Sequence, residues 1–249
     1  MIARLLLERL VDIVRESRCE CIALSGGIDT SVILLAAVSA GLKPRAYTLF
    51  YEHGVPRDLV YADFLAKRFN LDLTYIELDR ARAEEIKDKI LECVGSEKIL
   101  SHGDSGCIEL RNDLVYYQVL WRAREDKCNC IYTGSGGDEL FGGYSFMNML
   151  TSEELDKTIK NMISGRFPEL EIARCLETRV VAPYLDERIV KLGLETPVDC
   201  LRSTSMQGKE VLREILREKD LYIVSERIKT PAESGAGTKS FCRSVYDSF

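Results

Sequence analysis

The sequence predicts an α/β fold, in which a doubly wound parallel sheet is followed by a C-terminal helical annex. Three observations indicate this architecture. Short apolar runs alternate with helical segments through the first half of the chain, two of these runs end in glycine-rich turns, and strand signals largely vanish from Ser145 onward. Alternation of this kind is typical of parallel sheets that helices cover on both faces.

The predicted elements follow one another in a regular order. The chain opens with MIARLLLERLVDIVRESR, whose apolar residues recur at helical spacing between charges and predict an amphipathic helix. Strands are predicted in CIAL, RAYTLF, LDLTYIEL and CNCIYTG. Helices are predicted in TSVILLAAVSAG, in RDLVYADFLAKRFN, from Asp79 to about Val94, and in IELRNDLVYYQVLWRARED. Before the last of these helices, the glycine-rich VGSEKILSHGDSG predicts a loop.

Composition limits the class of protein. The 249 residues are 46% hydrophobic, enough for the core of one large domain. We expect one domain over residues 1–249, divided into an α/β core at 1–144 and a helical annex with a C-terminal flap at 145–249. The net charge of −6 disfavours a chain that clamps nucleic acid electrostatically. The N-terminal helix resembles neither a signal peptide nor a membrane span, and nine cysteines without secretory features predict reduced thiols in a cytoplasmic protein.

The glycine turn after the first strand, Ser25 to Ser31, has the features of a phosphate cradle. Its backbone NH groups precede the positive end of a helix, and the hydroxyls of Ser25, Thr30 and Ser31 can bind phosphate oxygens. Asp29 would be repelled by bare phosphate, so a divalent cation that bridges carboxylate and phosphates best explains its position. For the glycine pair alone, an ordinary turn in which Asp29 and Thr30 cap the helix is the alternative.

A second glycine-rich turn, TGSGGDELFGGY from Thr133 to Tyr144, follows the last predicted strand and presents Asp138 and Glu139. Ligands of doubly wound sheets gather outside the carboxyl ends of the strands, where both turns lie. We therefore expect the two turns to form one nucleotide and metal site, which makes 1–144 a nucleotide-binding core.

These motifs carry a family resemblance. SGGIDTS resembles the pyrophosphate loop of the ATP pyrophosphatase superfamily, and TGSGGDELFGGY resembles the corresponding segment of asparagine synthetases and their relatives, the β-lactam synthetases. Three later segments fit the same family in the same order: LETRVVAPYLDERIV, KEVLRE and ERIKTPAESGAG. The resemblance spans roughly Cys19 to Gly237.

The resemblance implies a synthetase that uses ATP and Mg²⁺ to adenylate a carboxylate, by default aspartate, with release of pyrophosphate. Ammonia or another amine then displaces AMP to give an amide. The implied ATP site contains Ser25, Gly26, Gly27, Asp29, Thr30, Ser31, Leu49, Thr133, Gly134 and Ser135. Asp29 and Asp138 are the implied magnesium ligands, and Lys209 and Lys229 the implied catalytic cations that neutralise the departing pyrophosphate.

Two positions need separate interpretation. Ser135 stands where this family usually has an acidic residue that assists amine attack, so another group must supply the base or the amine must arrive already nucleophilic. Glu139 is the nearest acidic candidate in sequence. Glu139 can alternatively orient the glycine loop. Arg111 matches a family arginine and is expected to meet the substrate carboxylate or a phosphate, with a solvated helix arginine as the alternative.

The expected partners are a small carboxylic acid and ammonia or an amine. Asparagine synthetases carry a glutaminase domain ahead of the synthetase domain, whereas here the pyrophosphate loop already begins at Ser25. We therefore expect this chain to lack that domain. A separate glutaminase subunit can dock, with the N-terminal helix as one contact surface, and a homo-oligomer is possible. No membrane partner is expected.

Two other functions remain open on the sequence. Thiolating members of the superfamily adenylate a tRNA base and deliver sulfur through cysteine, and Cys107 is the cysteine expected to be most accessible. Cys19 with Cys21, and Cys128 with Cys130, are spaced to share one face of a strand, which is typical of buried cysteines. A nucleotide-binding regulatory protein is the third possibility.

Overall fold

The computed structural model describes residues 1–100, 106–202 and 207–242. Its centre is a parallel sheet of five strands in the order β3-β2-β1-β4-β5. The strands are β1 Cys21–Ala23, β2 Arg45–Tyr51, β3 Leu73–Leu78, β4 Ile131–Tyr132 and β5 Val180–Val181. The chain adds β2 and β3 on one side of β1 and then crosses to β4 on the other side. This reversal beside β1 confirms the doubly wound sheet, and it opens a crevice at the carboxyl ends of β1 and β4.

Helices connect the strands and continue beyond the fourth. They are α1 Ile2–Ser17, α2 Ile28–Ser39, α3 Asp58–Phe69, α4 Arg80–Ile90, α5 Ser96–Leu100, α6 Cys107–Glu125, α7 Gly137–Leu140, α8 Ser152–Ile163, α9 Pro168–Cys175, α10 Glu187–Leu194, α11 Glu210–Arg217, α12 Tyr222–Ser225 and α13 Ala232–Ala236. Among the residues that the structure describes, no helix is both long and apolar enough to cross a bilayer.

The sheet separates two hydrophobic cores. On one face, α1, α2 and α11 pack together, and residues such as Leu6, Ile33 and Leu212 are fully buried there. On the other face, α4, α6 and α9 pack together around residues such as Ile86 and Leu120. Helix α2 is apolar around most of its circumference, because the sheet covers one side and α1 with α11 the other.

The annex is more closely joined to the core than the sequence indicated. We expected mainly helices after Ser145, but β5 lies in this region and pairs with β4 at the sheet edge, with Val180 opposite Ile131. Helix α11, also from the annex, packs on α1 and α2. A strand of two residues is too short to give an alternating pattern in the sequence, so no local signal predicted it.

The predicted loop after α4 is partly helical. Asp79 caps α4 by accepting a hydrogen bond of 2.6 Å from the Arg82 NH, as expected for a helix that starts here. Residues Leu91–Gly95 then form a π-helical turn that runs directly into α5. The prediction of a loop is therefore wrong for residues 94–100, whereas residues 101–105 lie outside the described part of the chain.

The expectation of reduced thiols is wrong. Four disulfides join Cys19 to Cys130, Cys21 to Cys128, Cys93 to Cys175 and Cys107 to Cys242. Of the nine cysteines only Cys200 is free. The first two pairs form because β1 and β4, more than 100 residues apart in sequence, are neighbours in the sheet. Cys19 also precedes β1 and packs in the opposite core from Cys21, so these two do not share a face. The cysteine count therefore gives no support to a cytoplasmic location.

Candidate active site

A cavity of about 1200 Å³ opens at the carboxyl ends of β1, β2 and β4. Ser25, which follows β1, Leu49 in β2 and Thr133 after β4 all line it. Part of its lining comes from the two glycine turns with Lys209 and Lys229, and we call this part the phosphate end. Another part comes from α6, from the N-terminal turn of α9 and from the segment that precedes α9. The two parts meet where Ser135 hydrogen bonds to Glu169.

The first glycine turn, which we call the phosphate cradle after its predicted role, is ordered by contacts within the turn. Gly27 caps α2, and its NH donates a hydrogen bond of 3.1 Å to Ser25 Oγ. Ser31 Oγ donates to the Gly27 carbonyl at 2.7 Å, and Thr30 Oγ1 lies 3.2 Å from Ser25 Oγ. Ser25, Gly27, Asp29 and Thr30 line the cavity. Ser31 is buried and does not line the cavity, so its hydrogen bond supports the turn from the protein interior.

Gly26 is required by the shape of this turn, and it does not line the cavity. Its φ of 66° lies in the left-handed region, and a Cβ there would overlap the backbone and Cβ of Tyr61 in α3. Arg227 fixes the same region from the other side. Its guanidinium lies 4.2 Å from the centre of the Tyr61 ring, donates to the Ser25 carbonyl at 3.0 Å, and pairs with buried Asp58. Burial raises the pKa of Asp58 to about 6 despite the opposing effect of Arg227.

Four charged side chains meet beside the cradle. Lys209 Nζ lies 2.5 Å from Asp29 Oδ2 and 2.7 Å from Asp138 Oδ1, and Lys229 Nζ lies 2.7 Å from the same Asp138 oxygen. Lys229 also lies 3.9 Å from the centre of the Tyr144 ring. Lys209 has a left-handed backbone at the start of α11, and its NH donates to the Phe141 carbonyl at 3.0 Å. The sequence-predicted cations and carboxylates therefore form one cluster.

The electrostatics of this cluster favour the charged forms of Asp138 and Lys209. Burial alone would raise the pKa of Asp138, but Lys209 and Lys229 outweigh it and hold the pKa at about 2. Burial would lower the pKa of Lys209, and Asp138 and Asp29 instead raise it to about 12. Burial dominates at Asp29 and raises its pKa. Gly143 makes this packing possible, because a Cβ there would overlap Asp138 Oδ1 and Lys209 Cε.

The carboxylates of this cluster fit a magnesium ion that arrives with phosphate. Asp29 Oδ1 is buried without a hydrogen-bond partner, so an oxygen ligand is left for a cation. Within the described ranges no three His, Cys, Asp or Glu side chains gather into a metal-binding group. Magnesium commonly binds through one or two carboxylates and completes its shell with phosphate oxygens and water. Asp29 and Asp138 match that pattern.

The part of the cavity formed by α6 and α9 is acidic. Glu109 and Asp113 of α6 line it together with Glu169 of α9. Ser135, from the second glycine turn, hydrogen bonds to Glu169, which partly offsets the rise in the Glu169 pKa caused by burial. Glu139 also lines the cavity and accepts a hydrogen bond of 2.5 Å from the Tyr144 hydroxyl.

Most of the sequence-predicted residues come together at this cavity. It is lined by Ser25, Gly27, Asp29, Thr30, Leu49, Thr133, Gly134, Ser135, Asp138, Glu139, Lys209 and Lys229. Arg111 is not among the lining residues. It is 1% exposed, and its carbonyl accepts a hydrogen bond from Thr238. The structure therefore supports neither the substrate contact expected of Arg111 nor the solvated alternative.

Sequence reasoning missed several lining residues. Arg227 was within the quoted ERIKTPAESGAG segment but carried no assigned role. Asp113, Tyr116, Arg166 and Glu169 come from α6, α9 and the residues just before α9, which meet only in the folded chain. The one available signal was the spacing of Glu109, Asp113 and Tyr116 on a single face of α6.

Comparisons with known proteins agree with the motifs. The family model described as asparagine synthase matches residues 3–169. A curated relative, "Putative asparagine synthetase [glutamine-hydrolyzing] 1" of Methanocaldococcus jannaschii, is 29% identical over 186 residues. That match covers 70% of this chain and 32% of the relative, so the chain corresponds to about a third of the relative's length.

Two solved structures of synthetases are similar along most of their lengths. NMN synthetase from Francisella tularensis is 16% identical, with a TM-score of 0.39, and the match covers 92% of this chain and 97% of the synthetase chain. NH3-dependent NAD synthetase from Campylobacter jejuni is 14% identical, with a TM-score of 0.37, and the match covers 92% of this chain and 96% of that synthetase chain. At these TM-scores the two structures carry no argument about the site.

Proposed function

The chain belongs to the asparagine synthase family, and on that premise we propose that it is an ATP-dependent, AMP-forming ligase that makes an amide. Its substrates are a carboxylic acid and ammonia or another amine. The observation that carries the proposal is the cluster of Asp29, Asp138, Lys209 and Lys229 beside the first glycine turn. Two cations and two carboxylates at a phosphate cradle suit the departure of a highly charged leaving group.

In the first step, a carboxylate oxygen of the acid attacks the α-phosphorus of ATP, and the bond from that phosphorus to the β-phosphate oxygen breaks. Pyrophosphate leaves and an acyl-adenylate remains. Lys209 and Lys229 lie where they can neutralise the charge that develops on pyrophosphate. Mg²⁺ bound by Asp29 and Asp138 supplies further charge neutralisation when present. Leu49, Thr133 and Gly134 contact the adenosine.

In the second step, the amine nitrogen attacks the acyl carbon and the bond to AMP breaks. The nitrogen must lose a proton during this step. We assign Glu139 as the base, since it lines the cavity and Ser135 has no acidic group. The hydrogen bond from Tyr144 fixes one of its oxygens.

The tRNA-thiolating alternative needs an accessible thiol, and Cys107 does not supply one. It is 6% exposed and joined to Cys242. The cavity is also acidic at one end, which disfavours a phosphate backbone there. We therefore retain the amide-forming reaction as the single proposal.

The source of ammonia is a separate part of the proposal. The Methanocaldococcus jannaschii relative is named for glutamine hydrolysis, and this chain corresponds to about a third of it. We propose that this chain uses free ammonia, or ammonia delivered by a separate glutaminase. The purified chain, incubated with glutamine and ATP, should release no glutamate, whereas ammonium should support AMP formation. Stoichiometric glutamate release would contradict this assignment.

The reaction class is tested by the products of ATP cleavage. The purified protein is incubated with Mg-ATP, ammonium and a panel of carboxylic acids, and AMP, ADP, pyrophosphate and phosphate are separated. We expect AMP and pyrophosphate in equal amounts, formed only with a suitable acid. Acid-dependent formation of ADP and phosphate would refute the proposal.

A further inference from the structure

The carboxylates that α6 and α9 contribute to the cavity have no role in the reaction proposed above. We call Glu109, Asp113 and Glu169 the acidic wall. All three line the same cavity as the phosphate cradle, Glu109 and Asp113 from α6 and Glu169 from the first turn of α9. Asp113 and Glu169 are buried, with exposed fractions of 2% and 7%.

Among the described residues, the acidic wall has more carboxyl groups than cations paired with them. Its nearest cation is Arg166, which pairs with Glu109 and also, at 3.2 Å, with Glu171. Glu171 itself takes a second cation, Lys98, at 3.1 Å. Within the described part of the chain, neither Asp113 nor Glu169 has an ion pair within 4.0 Å. Two buried carboxyl groups therefore face the cavity without a matching positive charge.

Asp113 is the less satisfied of the two. Its Oδ2 is buried and has no hydrogen-bond partner among the described residues. Burial, followed by the charges of Glu109 and Glu169, raises the pKa of Asp113 to about 8. A buried acceptor without a partner costs free energy, so such a group in a cavity commonly marks a place where a ligand donates the missing hydrogen bond.

We propose that the acidic wall binds a cationic group of the substrate acid, an ammonium or a guanidinium, at Asp113 and Glu169. The substrate is then a carboxylic acid with a positive charge at the end opposite its reacting carboxylate. This inference rests on the proposed function, because it names the acid used by that same site. It also disfavours the default substrate, aspartate, because the carboxylate beside its ammonium group would meet this wall as well.

The arrangement of the cavity supports an elongated substrate. Tyr116 lies on α6 one turn beyond Asp113 and lines the same cavity as the acidic wall and the phosphate cradle. Its ring offers an apolar surface to the chain that connects the two charged groups of such an acid.

The first test compares linear acids of similar length that differ in the group at the end opposite the reacting carboxylate. We use 5-aminopentanoate, pentanoate and glutarate, with 4-guanidinobutyrate as the guanidinium member, and measure kcat/KM for pyrophosphate release. The cationic acids should exceed pentanoate by about 10-fold or more, as expected for a charge-assisted hydrogen bond, and glutarate should be the poorest. Equal values for 5-aminopentanoate and pentanoate would overturn the inference while leaving the reaction class intact.

The second test assigns the effect to the wall. In Asp113→Asn and Glu169→Gln, the ratio of kcat/KM for 5-aminopentanoate over pentanoate should fall toward one, whereas general damage would lower both values and preserve their ratio. Glu125→Gln is the control, because it removes the same charge from an exposed position on α6. An unchanged ratio in both wall variants would contradict the inference.

Calorimetry separates this inference from the proposed function. Binding of 4-guanidinobutyrate to the wild-type chain needs no turnover, so it reports on the wall even if none of the acids drives ATP cleavage. We expect binding that Asp113→Asn weakens by about 10-fold or more and that Glu125→Gln leaves unchanged. No detectable binding, or equal binding to Asp113→Asn, would overturn the inference whichever way the product assay turns out.

Discussion

The phosphate end of the cavity and the acidic wall differ in whether their carboxylates are paired with cations. At the phosphate end, Asp29 and Asp138 are matched by Lys209 and Lys229 within 2.7 Å. At the acidic wall, Asp113 forms no ion pair among the described residues and keeps an unpartnered oxygen. The phosphate end is therefore internally neutral before its ligand arrives, whereas the wall lacks a counter-charge that a ligand can supply.

The largest effect is expected from breaking the phosphate end. Asp138→Asn should lower the rate of pyrophosphate release by about 10³-fold or more, because it removes a proposed magnesium ligand and the shared partner of both lysines. The fold should persist, since Asp138 is partly exposed. Turnover and thermal unfolding are measured beside Asp88→Asn, an exposed control on α4. Near-wild-type turnover would rule out Asp138 as an essential ligand.

The next prediction tests Glu139 as the base for amine attack. Glu139→Gln should slow amide formation by about 10²-fold and adenylation much less, because the base is needed only when the amine attacks. Rapid quenching should then detect an accumulating acyl-adenylate. Equal slowing of both steps, or of neither, would count against Glu139 as the base.

Stability should change in opposite directions at the two ends. Lys209→Met should cost about 3–5 kcal/mol of unfolding free energy, because it leaves buried Asp29 without its partner. Asp113→Leu should instead stabilise the fold by about 1–3 kcal/mol, since it removes an unsatisfied buried group. Denaturant titration measures both, with exposed Lys219→Met as the control for losing a lysine. Changes of the same sign in both variants would contradict the comparison.

The smallest effect is a difference in pH dependence. The pKa of the Asp113 carboxyl group is about 8 in the folded state, against about 3.9 in the unfolded state. Its contribution to the free energy of unfolding is therefore fully present below the unfolded pKa and is lost as the pH rises through the folded pKa. Wild-type stability should therefore fall more steeply than that of Asp113→Asn between about pH 4 and pH 8. The groups around Asp113, namely Glu109, Glu169, Glu171 and Arg166, are common to both proteins. Parallel curves would show that Asp113 ionises normally.

The phosphate end could be predicted from the sequence because its parts are local. SGGIDTS and TGSGGDELFGGY each place glycines and a carboxylate within a few residues after a strand, so a linear pattern already contains the geometry. The two lysines were found through the motifs around them. The parallel sheet was predicted from the same strands, whereas β5 was missed because its two residues leave no periodic pattern.

The acidic wall and the disulfides could not be predicted in this way. Asp113 and Glu169 are 56 residues apart in sequence and meet only because α6 packs against α9. Cys21 and Cys128 meet only because β1 and β4 are neighbours. Arg111 is the opposite case, since its match to a family arginine predicted a site residue, but the fold buries it outside the lining of the cavity.

The most direct test of the proposed reaction follows the oxygen of the acid. A substrate acid labelled with oxygen-18 in its carboxylate is turned over with Mg-ATP and ammonium, and the products are analysed by mass spectrometry. Attack on the α-phosphorus transfers one carboxylate oxygen to the phosphate, so AMP should carry one labelled atom and pyrophosphate none. Label in inorganic phosphate together with formation of ADP would contradict the account, because it would show transfer of the γ-phosphoryl group instead.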